Sequence, residues 1–154
     1  MMSLSFDVIN RLSGKTIATA ESLTGGGIGA ALTAVPGSSA VYKGGIISYT
    51  DEIKMNILGV TAAHLEKFGA VSAQVAEEMV AGIRRQFKTD IAVSVTGLAG
   101  PTGDTFGNPV GTVYIGYQDD SHHVVHHYCF TGDRDAVRTL TIEAALKLVL
   151  QYNA

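Results

Sequence analysis

Three segments of the sequence combine small residues with side chains that could do chemistry. Ser22 lies in AESLTGG, Lys54 lies in SYTDEIK, and Thr96 opens TGLAGPTGD. A serine hydroxyl becomes a nucleophile when a neighbouring base accepts its proton. No histidine lies in these segments. We therefore interpret Ser22 as a candidate nucleophile and Lys54 as its base, because a lysine in a poorly solvated cavity can lose its proton near neutral pH.

The same residues have ordinary structural interpretations. Ser22 or Thr24 could cap the helix that follows, and a lysine on a helix is most often a solvated surface charge. Tyr49, which precedes Lys54, could relay a proton or orient a leaving group. The residues alone leave the catalytic and the structural interpretations open.

Glycines beside these side chains favour a bound ligand. Gly25 and Gly26 follow Ser22 and begin a predicted helix, whose first amides are unpaired and partly positive. Such amides hold oxyanions and phosphates. Thr96 and Gly97 open a loop with little side-chain bulk, in which Thr96 could donate to a ligand. The expected substrate contacts in these two segments are Thr24, Gly25, Gly26, Thr96 and Gly97.

Two further motifs contain candidate ligand-binding side chains. Arg134 and Arg138 in GDRDAVR could each reach a phosphate as a planar fork, or lie on the surface. The histidines of the tract 122–127 alternate between the two faces of a predicted strand, so they do not converge on one ion. We expect no metal and no other cofactor.

Composition favours a folded protein in a reducing compartment. Hydrophobic residues make up 46% and charged residues 16% of the 154 residues, so 1–154 is expected to form a single domain. A net charge of −3 disfavours a nucleic-acid-coating protein. The single Cys129 cannot form an intrachain disulfide. Since no signal peptide or long apolar stretch is evident, we expect a cytoplasmic protein with no membrane partner.

Hydrophobic patterns predict the elements that position these residues. The first helix, 4–13, should bury Phe6, Ile9 and Leu12. The segment 22–34 is predicted to be a loop followed by a helix. The other helices are predicted at 51–58, 61–68, 72–87 and 133–152, and the strands at 15–21, 41–50, 90–96, 111–118 and 123–130. The last helix should bury a stripe of Val137, Leu140, Ala144, Leu148 and Gln151.

The alternation of strands and helices predicts the α/β class. We expect a three-layer α/β/α sandwich with a mostly parallel sheet, in which the final hairpin makes one strand antiparallel. Ligands bind beyond the carboxyl ends of the strands in such a sheet. The three segments that contain Ser22, Lys54 and Thr96 each follow a predicted strand, so they should share one site.

The ordered motifs of the chain resemble a known family. ATAESLTGG, GGIISYTDEIKMNILGV, GAVSAQVAEEM, TGLAGPTG, NPVGTVYIG and GDRDAVR are similar to the CinA C-terminal family over nearly the whole chain. That family includes the stand-alone nicotinamide-nucleotide amidases called PncC. The resemblance implies a mixed five-stranded sheet and the hydrolysis of nicotinamide mononucleotide to nicotinate mononucleotide and ammonia.

The resemblance also implies roles for individual residues. It implies Ser22 as nucleophile, Lys54 as general base and Tyr49 in support. It implies polar ligand contacts from Ser39 and Thr96, and from an arginine of the last motif that is either Arg134 or Arg138. Leu23 departs from the family, in which many relatives carry Cys. Because that side chain is not the nucleophile, we expect the departure to have little effect.

Two other functions are compatible with the sequence. The protein could bind a nucleotide without hydrolysing it, as a regulatory module, or it could be an amidase for another nucleotide or small amide. In each case the expected partner is a small molecule rather than a nucleic acid or a membrane. The sequence is also compatible with a homo-oligomer.

Overall fold

The computed structural model describes residues 2–154. Over this range the strands are β1 (Ile17–Glu21), β2 (Tyr42–Ile47), β3 (Ile91–Gly97), β4 (Thr112–Gln118) and β5 (His123–Cys129). The helices are α1 (Met2–Arg11), α2 (Gly27–Thr33), α3 (Asp51–Leu58), α4 (Ala62–Phe68), α5 (Ala73–Phe87) and α6 (Arg134–Tyr152). None of these helices is long and apolar enough to cross a membrane.

The strands form one mixed sheet in the order β2-β1-β3-β4-β5. β1 pairs in parallel with both β2 and β3, whereas β4 is antiparallel to β3 and to β5. β4 therefore runs against the other four strands, as the hairpin predicts. The carboxyl ends of β1, β2 and β3 lie at the same edge of the sheet, which we call the carboxyl edge.

Helices cover both faces of the sheet. α1, α2 and α6 pack together on one face, and α3 and α4 pack around α5 on the other. Each face has its own apolar core: Ile115, Tyr117 and Leu146 belong to the first, and Met79 and Ile83 to the second. Burying each such side chain contributes about 1.5–3 kcal/mol. The prediction of an α/β fold with a mixed five-stranded sheet is confirmed, and two helical layers enclosing that sheet form the expected three-layer sandwich.

The predicted buried faces of the first and last helices are partly wrong. Ile9 and Leu12 are buried as predicted, but Phe6 is 57% exposed, and α1 buries Ser5 and Val8 beside Ile9. Gln151 is exposed, and α6 buries a wider face that consists of Val137, Thr141, Ala145, Leu146, Leu148 and Val149. The reason is that α6 packs against the sheet as well as against α1 and α2, so its contact surface is broader than one stripe.

The position of α3 is fixed at both ends. The Thr50 side chain accepts a hydrogen bond from the amide of Ile53, which caps the start of α3. At its end, the Leu58 carbonyl lies so close to Gly82 of α5 that a Cβ atom at Gly82 would be 1.9 Å from the oxygen. Only glycine permits this approach. The close contact between α3 and α5 determines where the side chains of α3 reach the sheet.

Candidate active site

Ser22 and Lys54 meet at the carboxyl edge of the sheet. Ser22 directly follows β1, and Lys54 lies in the middle of α3. The Lys54 Nζ is 3.1 Å from the Ser22 Oγ, within hydrogen-bond distance. Lys54 is 1% exposed and Ser22 is 7% exposed. The structure therefore brings the candidate nucleophile and base together out of bulk solvent, instead of leaving Lys54 on the surface.

The surroundings of Lys54 favour its neutral form. Burial lowers the pKa of the Lys54 amine, because a poorly solvated site disfavours the charge, while the nearby Asp51 carboxylate raises that pKa to a lesser extent. The amine also donates to the backbone carbonyls of Ser48, at 2.7 Å, and Tyr49, at 3.5 Å. A neutral amine that donates its two N–H groups to these carbonyls keeps a lone pair that can accept the proton of Ser22.

Ser48 joins the strand that precedes Ser22 to the segment that holds Lys54. Its amide donates to the Glu21 carbonyl at 2.7 Å, and its hydroxyl donates to the same oxygen at 3.3 Å. Its own carbonyl accepts from Lys54. The end of β1, the residue after β2 and the lysine amine are thus connected by short hydrogen bonds.

The buried Glu21 carboxylate caps α2 from within the protein. It accepts hydrogen bonds from the amides of Ile28, at 2.8 Å, and Gly29, at 3.0 Å, and from the Thr24 hydroxyl at 2.6 Å. The expectation that the first amides of this helix are open to a ligand is therefore wrong for Ile28 and Gly29. A carboxylate of the chain occupies the place that was expected for a substrate anion.

The turn after Ser22 is held internally rather than by ligand contacts. Thr24 is buried and donates to Glu21, and neither it nor Gly25 and Gly26 contributes to the cavity described below. The Arg138 guanidinium donates to the Leu23 carbonyl at 2.9 Å and to the Thr24 carbonyl at 3.3 Å. These residues fix the loop that carries Ser22, so the structure does not support the substrate contacts expected from them.

A cavity of about 460 Å³ opens beside Ser22 and Lys54. Its volume lies within the range typical of small-molecule sites. It is lined by the two candidate catalytic residues, by the first residue of α3 and by the loops after β2 and β3. The lining residues are Ser22, Leu23, Tyr49, Asp51, Lys54, Ala70, Val71, Thr96, Gly97, Leu98, Ala99, Gly100, Pro101, Thr102 and Arg134.

Arg134, rather than Arg138, reaches this cavity. Its guanidinium donates to the Gly100 carbonyl at 2.7 Å and to the Tyr49 hydroxyl at 3.1 Å. The Tyr49 side chain is 59% exposed, and among residues 2–154 its hydroxyl makes no hydrogen bond to Ser22 or Lys54. The expected proton relay through Tyr49 therefore has no supporting contact, whereas its carbonyl contributes to holding Lys54.

Thr96 and Gly97 lie in the cavity wall, as the sequence predicts. The Thr96 hydroxyl donates to the Ala70 carbonyl at 2.8 Å, so its proton is used within the protein. The oxygen of that hydroxyl can still accept. A Cβ atom at Gly97 would lie 2.7 Å from the Val113 side chain, so the backbone approaches β4 closely at this point.

Ser39 lies at the other end of the sheet. It is exposed and belongs to a short 3₁₀ helix, Ser38–Ala40, that precedes the amino end of β2. Ser22 follows the carboxyl end of β1, which is parallel to β2. The expectation that Ser39 contacts the ligand bound at Ser22 is therefore wrong within one chain, because the length of the strand separates the two.

Histidines form pairs with other side chains rather than a cluster. His126 Nε2 lies 2.9 Å from the Tyr152 hydroxyl, His127 stacks on Tyr114, and His122 Nδ1 lies 3.0 Å from Asp119. Within residues 2–154 no group of three or more His, Cys, Asp or Glu side chains could hold a metal ion.

Three residues of the site were not singled out as such from the sequence. Asp51 lines the cavity, Glu21 caps α2, and Ser48 provides the carbonyl for Lys54. A signal existed for Glu21, since an acidic residue at the end of a buried strand needs hydrogen-bonding partners. Ser48 acts through its backbone, which the residue type does not reveal.

Comparisons with family models, curated proteins and solved structures all identify the same family. The model of the CinA C-terminal domain matches residues 3–153. A CinA-like protein from Rippkaea orientalis is 46% identical over 139 residues, which cover 88% of this chain and 33% of that protein. The chain thus spans about one third of the length of the curated relatives it matches.

Solved structures agree over almost the whole chain. The crystal structure of the competence damage-inducible protein A (ComA) from Klebsiella pneumoniae has a TM-score of 0.95 and 36% identity, covering 97% of this chain and 94% of that one. The structure of the competence/damage inducible protein CihA from Agrobacterium tumefaciens has a TM-score of 0.92, also at 36% identity, covering 99% and 95%. The chain belongs to the CinA C-terminal domain family.

Proposed function

We propose that the protein is an amidase that hydrolyses nicotinamide mononucleotide to nicotinate mononucleotide and ammonia. The observation that carries this proposal is the 3.1 Å contact between the Ser22 Oγ and the buried Lys54 Nζ at the wall of a cavity. A hydroxyl and a poorly solvated amine at this distance are the parts that a serine nucleophile with a lysine base requires. The substrate is suggested by the motifs that the chain shares with nicotinamide-nucleotide amidases.

The reaction proceeds in two halves. Neutral Lys54 accepts the proton of Ser22 while the Oγ attacks the carboxamide carbon, and the resulting ammonium of Lys54 then returns a proton to the departing nitrogen. Ammonia leaves, and nicotinate mononucleotide remains esterified to Ser22. Lys54 next accepts a proton from water, which attacks the ester, and Ser22 leaves with that proton.

Backbone amides beside the cavity supply the donors for the tetrahedral oxyanion. Because Glu21 accepts from Ile28 and Gly29, the oxyanion needs another segment. Leu23, whose amide follows the nucleophile, and Ala99 and Gly100 of the loop after β3 line the cavity. Donors aimed at the oxyanion strengthen as negative charge develops on it.

Arg134 is the candidate contact for the phosphate. The Gly100 carbonyl and the Tyr49 hydroxyl hold its guanidinium at the edge of the cavity, and a fork of N–H groups suits a phosphate. Binding energy from this remote group orients the carboxamide at Ser22. A guanidinium at the edge of the cavity suits a phosphorylated substrate better than a simple amide.

Ammonia release is the direct test of the proposal. The protein should release ammonia from nicotinamide mononucleotide, and Ser22→Ala should abolish the release while circular dichroism shows an unchanged fold. Unphosphorylated nicotinamide riboside should react much more slowly, because it lacks the group that Arg134 would bind. Near-normal turnover by Ser22→Ala would remove Ser22 from its role, and calorimetric binding without ammonia from the unaltered protein would favour a binding module.

A further inference from the structure

The cavity contains side chains of both signs of charge. Asp51 and Arg134, whose side chains carry opposite charges, both line its wall. Arg134 is held by two hydrogen bonds, to Gly100 and Tyr49. The Asp51 side chain makes no hydrogen bond and no ion pair with any residue between 2 and 154. The carboxylate is therefore available to a ligand that enters the cavity.

The fold does not need a carboxylate at this position. Thr50 already caps α3, and the neighbouring Glu52 places a second acidic side chain in the same first turn. An acidic residue near the start of a helix is mildly favourable wherever it lies in that turn. Asp51 differs from Glu52 in one respect: Asp51 lines the cavity and Glu52 does not.

The Asp51 carboxylate acts on the part of the cavity where the reaction takes place. Asp51 lies three residues before Lys54 in α3, so the two side chains are neighbours on one side of the helix, and the charge of Asp51 raises the pKa of the Lys54 amine. A carboxamide carbon attacked by Ser22 must lie about 3 Å from the Oγ. The ring bonded to that carbon then occupies the space beside Ser22 and Lys54, within the field of Asp51.

Nicotinamide mononucleotide has the complementary distribution of charge. Its pyridine ring is substituted at nitrogen and is therefore cationic, and its phosphate is anionic. A cavity with a carboxylate beside the reacting pair and a guanidinium at its edge suits such a molecule. A neutral ring would gain nothing from the carboxylate.

We propose that Asp51 is a specificity-determining residue, whose carboxylate selects carboxamides carried on a cationic, N-substituted pyridinium ring over carboxamides on neutral rings. This inference rests on the proposed function, since it assumes that the carboxamide reacts at Ser22. It adds a requirement for charge on the ring to the requirement for phosphate.

Calorimetric binding to Ser22→Ala, which cannot turn over, tests the inference. The two ligands are nicotinamide mononucleotide and its neutral isostere benzamide riboside 5′-phosphate, in which carbon replaces the ring nitrogen. The cation should bind more tightly. Adding Asp51→Asn should lower the ratio of the affinity for the cation to the affinity for the neutral ligand. The expected fall is roughly threefold to tenfold, the range for one partly solvated charge at a few ångströms. Adding Glu52→Gln removes the same charge outside the cavity and should leave the ratio unchanged.

The response of Lys54 sharpens this test. Without Asp51, Lys54 loses its proton more readily, which would weaken its repulsion of a cation and raise the ratio. A fall in the ratio therefore cannot come from Lys54. An unchanged or increased ratio in Asp51→Asn, an equal fall in Glu52→Gln, or no preference for the cation in Ser22→Ala would each overturn the proposal. Failure of the unaltered protein to release ammonia from nicotinamide mononucleotide would instead refute the proposed function itself.

Discussion

Replacing Lys54 distinguishes a base from a hydrogen-bond donor. Lys54→Met removes the amine from a site of similar volume, and Lys54→Arg keeps a cation that cannot lose its proton. If Lys54 is the general base, both variants should lose about 10²- to 10⁴-fold in kcat, the usual contribution of a positioned base. This loss corresponds to about 3–5 kcal/mol of transition-state stabilisation.

The structure gives the reason for expecting the full loss. The Nζ is 3.1 Å from the Oγ, and among residues 2–154 no other basic side chain is hydrogen-bonded to Ser22. The Ser48 carbonyl lies 2.7 Å from the Nζ and can accept from one N–H of the neutral amine. The Tyr49 carbonyl lies 3.5 Å from the Nζ and can accept from the other N–H. An arginine in this place has donors for the carbonyls but no lone pair for the hydroxyl proton.

The pH dependence of ammonia release provides a second measurement. Burial holds the pKa of Lys54 below its ordinary value of 10.5. Below that lowered pKa the amine is protonated and cannot act, so kcat/KM should rise as pH increases through it and level off above it. Lys54→Met should lose this rising limb. Turnover within tenfold of the unaltered protein in Lys54→Arg, or a rising limb that persists in Lys54→Met, would refute the assignment.

Three other substitutions test separate parts of the site. Arg134→Gln should raise KM for nicotinamide mononucleotide by about tenfold to a hundredfold, as expected for a lost hydrogen bond to a charged group, but leave KM for the riboside unchanged; equal effects on both would exclude a phosphate contact. Glu21→Ala leaves buried donors of α2 without an acceptor, and it should lower the free energy of unfolding in urea by about 2–4 kcal/mol. A loss below about 0.5 kcal/mol would contradict the cap. Gly82→Ala forces the Leu58 carbonyl away and should cost about 2 kcal/mol or more in unfolding free energy. Since Leu58 ends the helix that carries Lys54, kcat should fall as well, and unchanged melting and turnover would show that α3 can shift freely.

The fold and the central pair of the site could be predicted from local patterns. Short apolar runs predict strands, and their alternation with segments of helical periodicity predicts that the strands are parallel. Parallel strands bring their carboxyl ends to one edge of the sheet. This is why Ser22 and Lys54, 32 positions apart, could be expected to meet. The spacing of apolar residues predicts these helices and strands because it repeats with the period of the helix or strand backbone.

Contacts made by a side chain with distant backbone could not be predicted in this way. Glu21 reaches the amides of Ile28 and Gly29 across a turn, and no periodicity reveals that it fills the start of α2. The misplacement of Ser39 has a different cause, since a motif does not specify at which end of a strand its residues lie. Phe6 was expected to be buried because it recurs at helical spacing with Ile9 and Leu12, but the face of α1 that packs against α6 and α2 does not include it.

The two neighbours that orient the Lys54 amine are peptide carbonyls. Any amino acid provides a carbonyl, so the path of the main chain, and not the side chains attached to it, sets the direction of the amine. The exposed side chain at position 49 can therefore be varied in a directed-evolution library aimed at new substrates without altering the contact between Ser22 and Lys54, while loss of the tyrosine hydroxyl removes one of the two hydrogen bonds that hold Arg134.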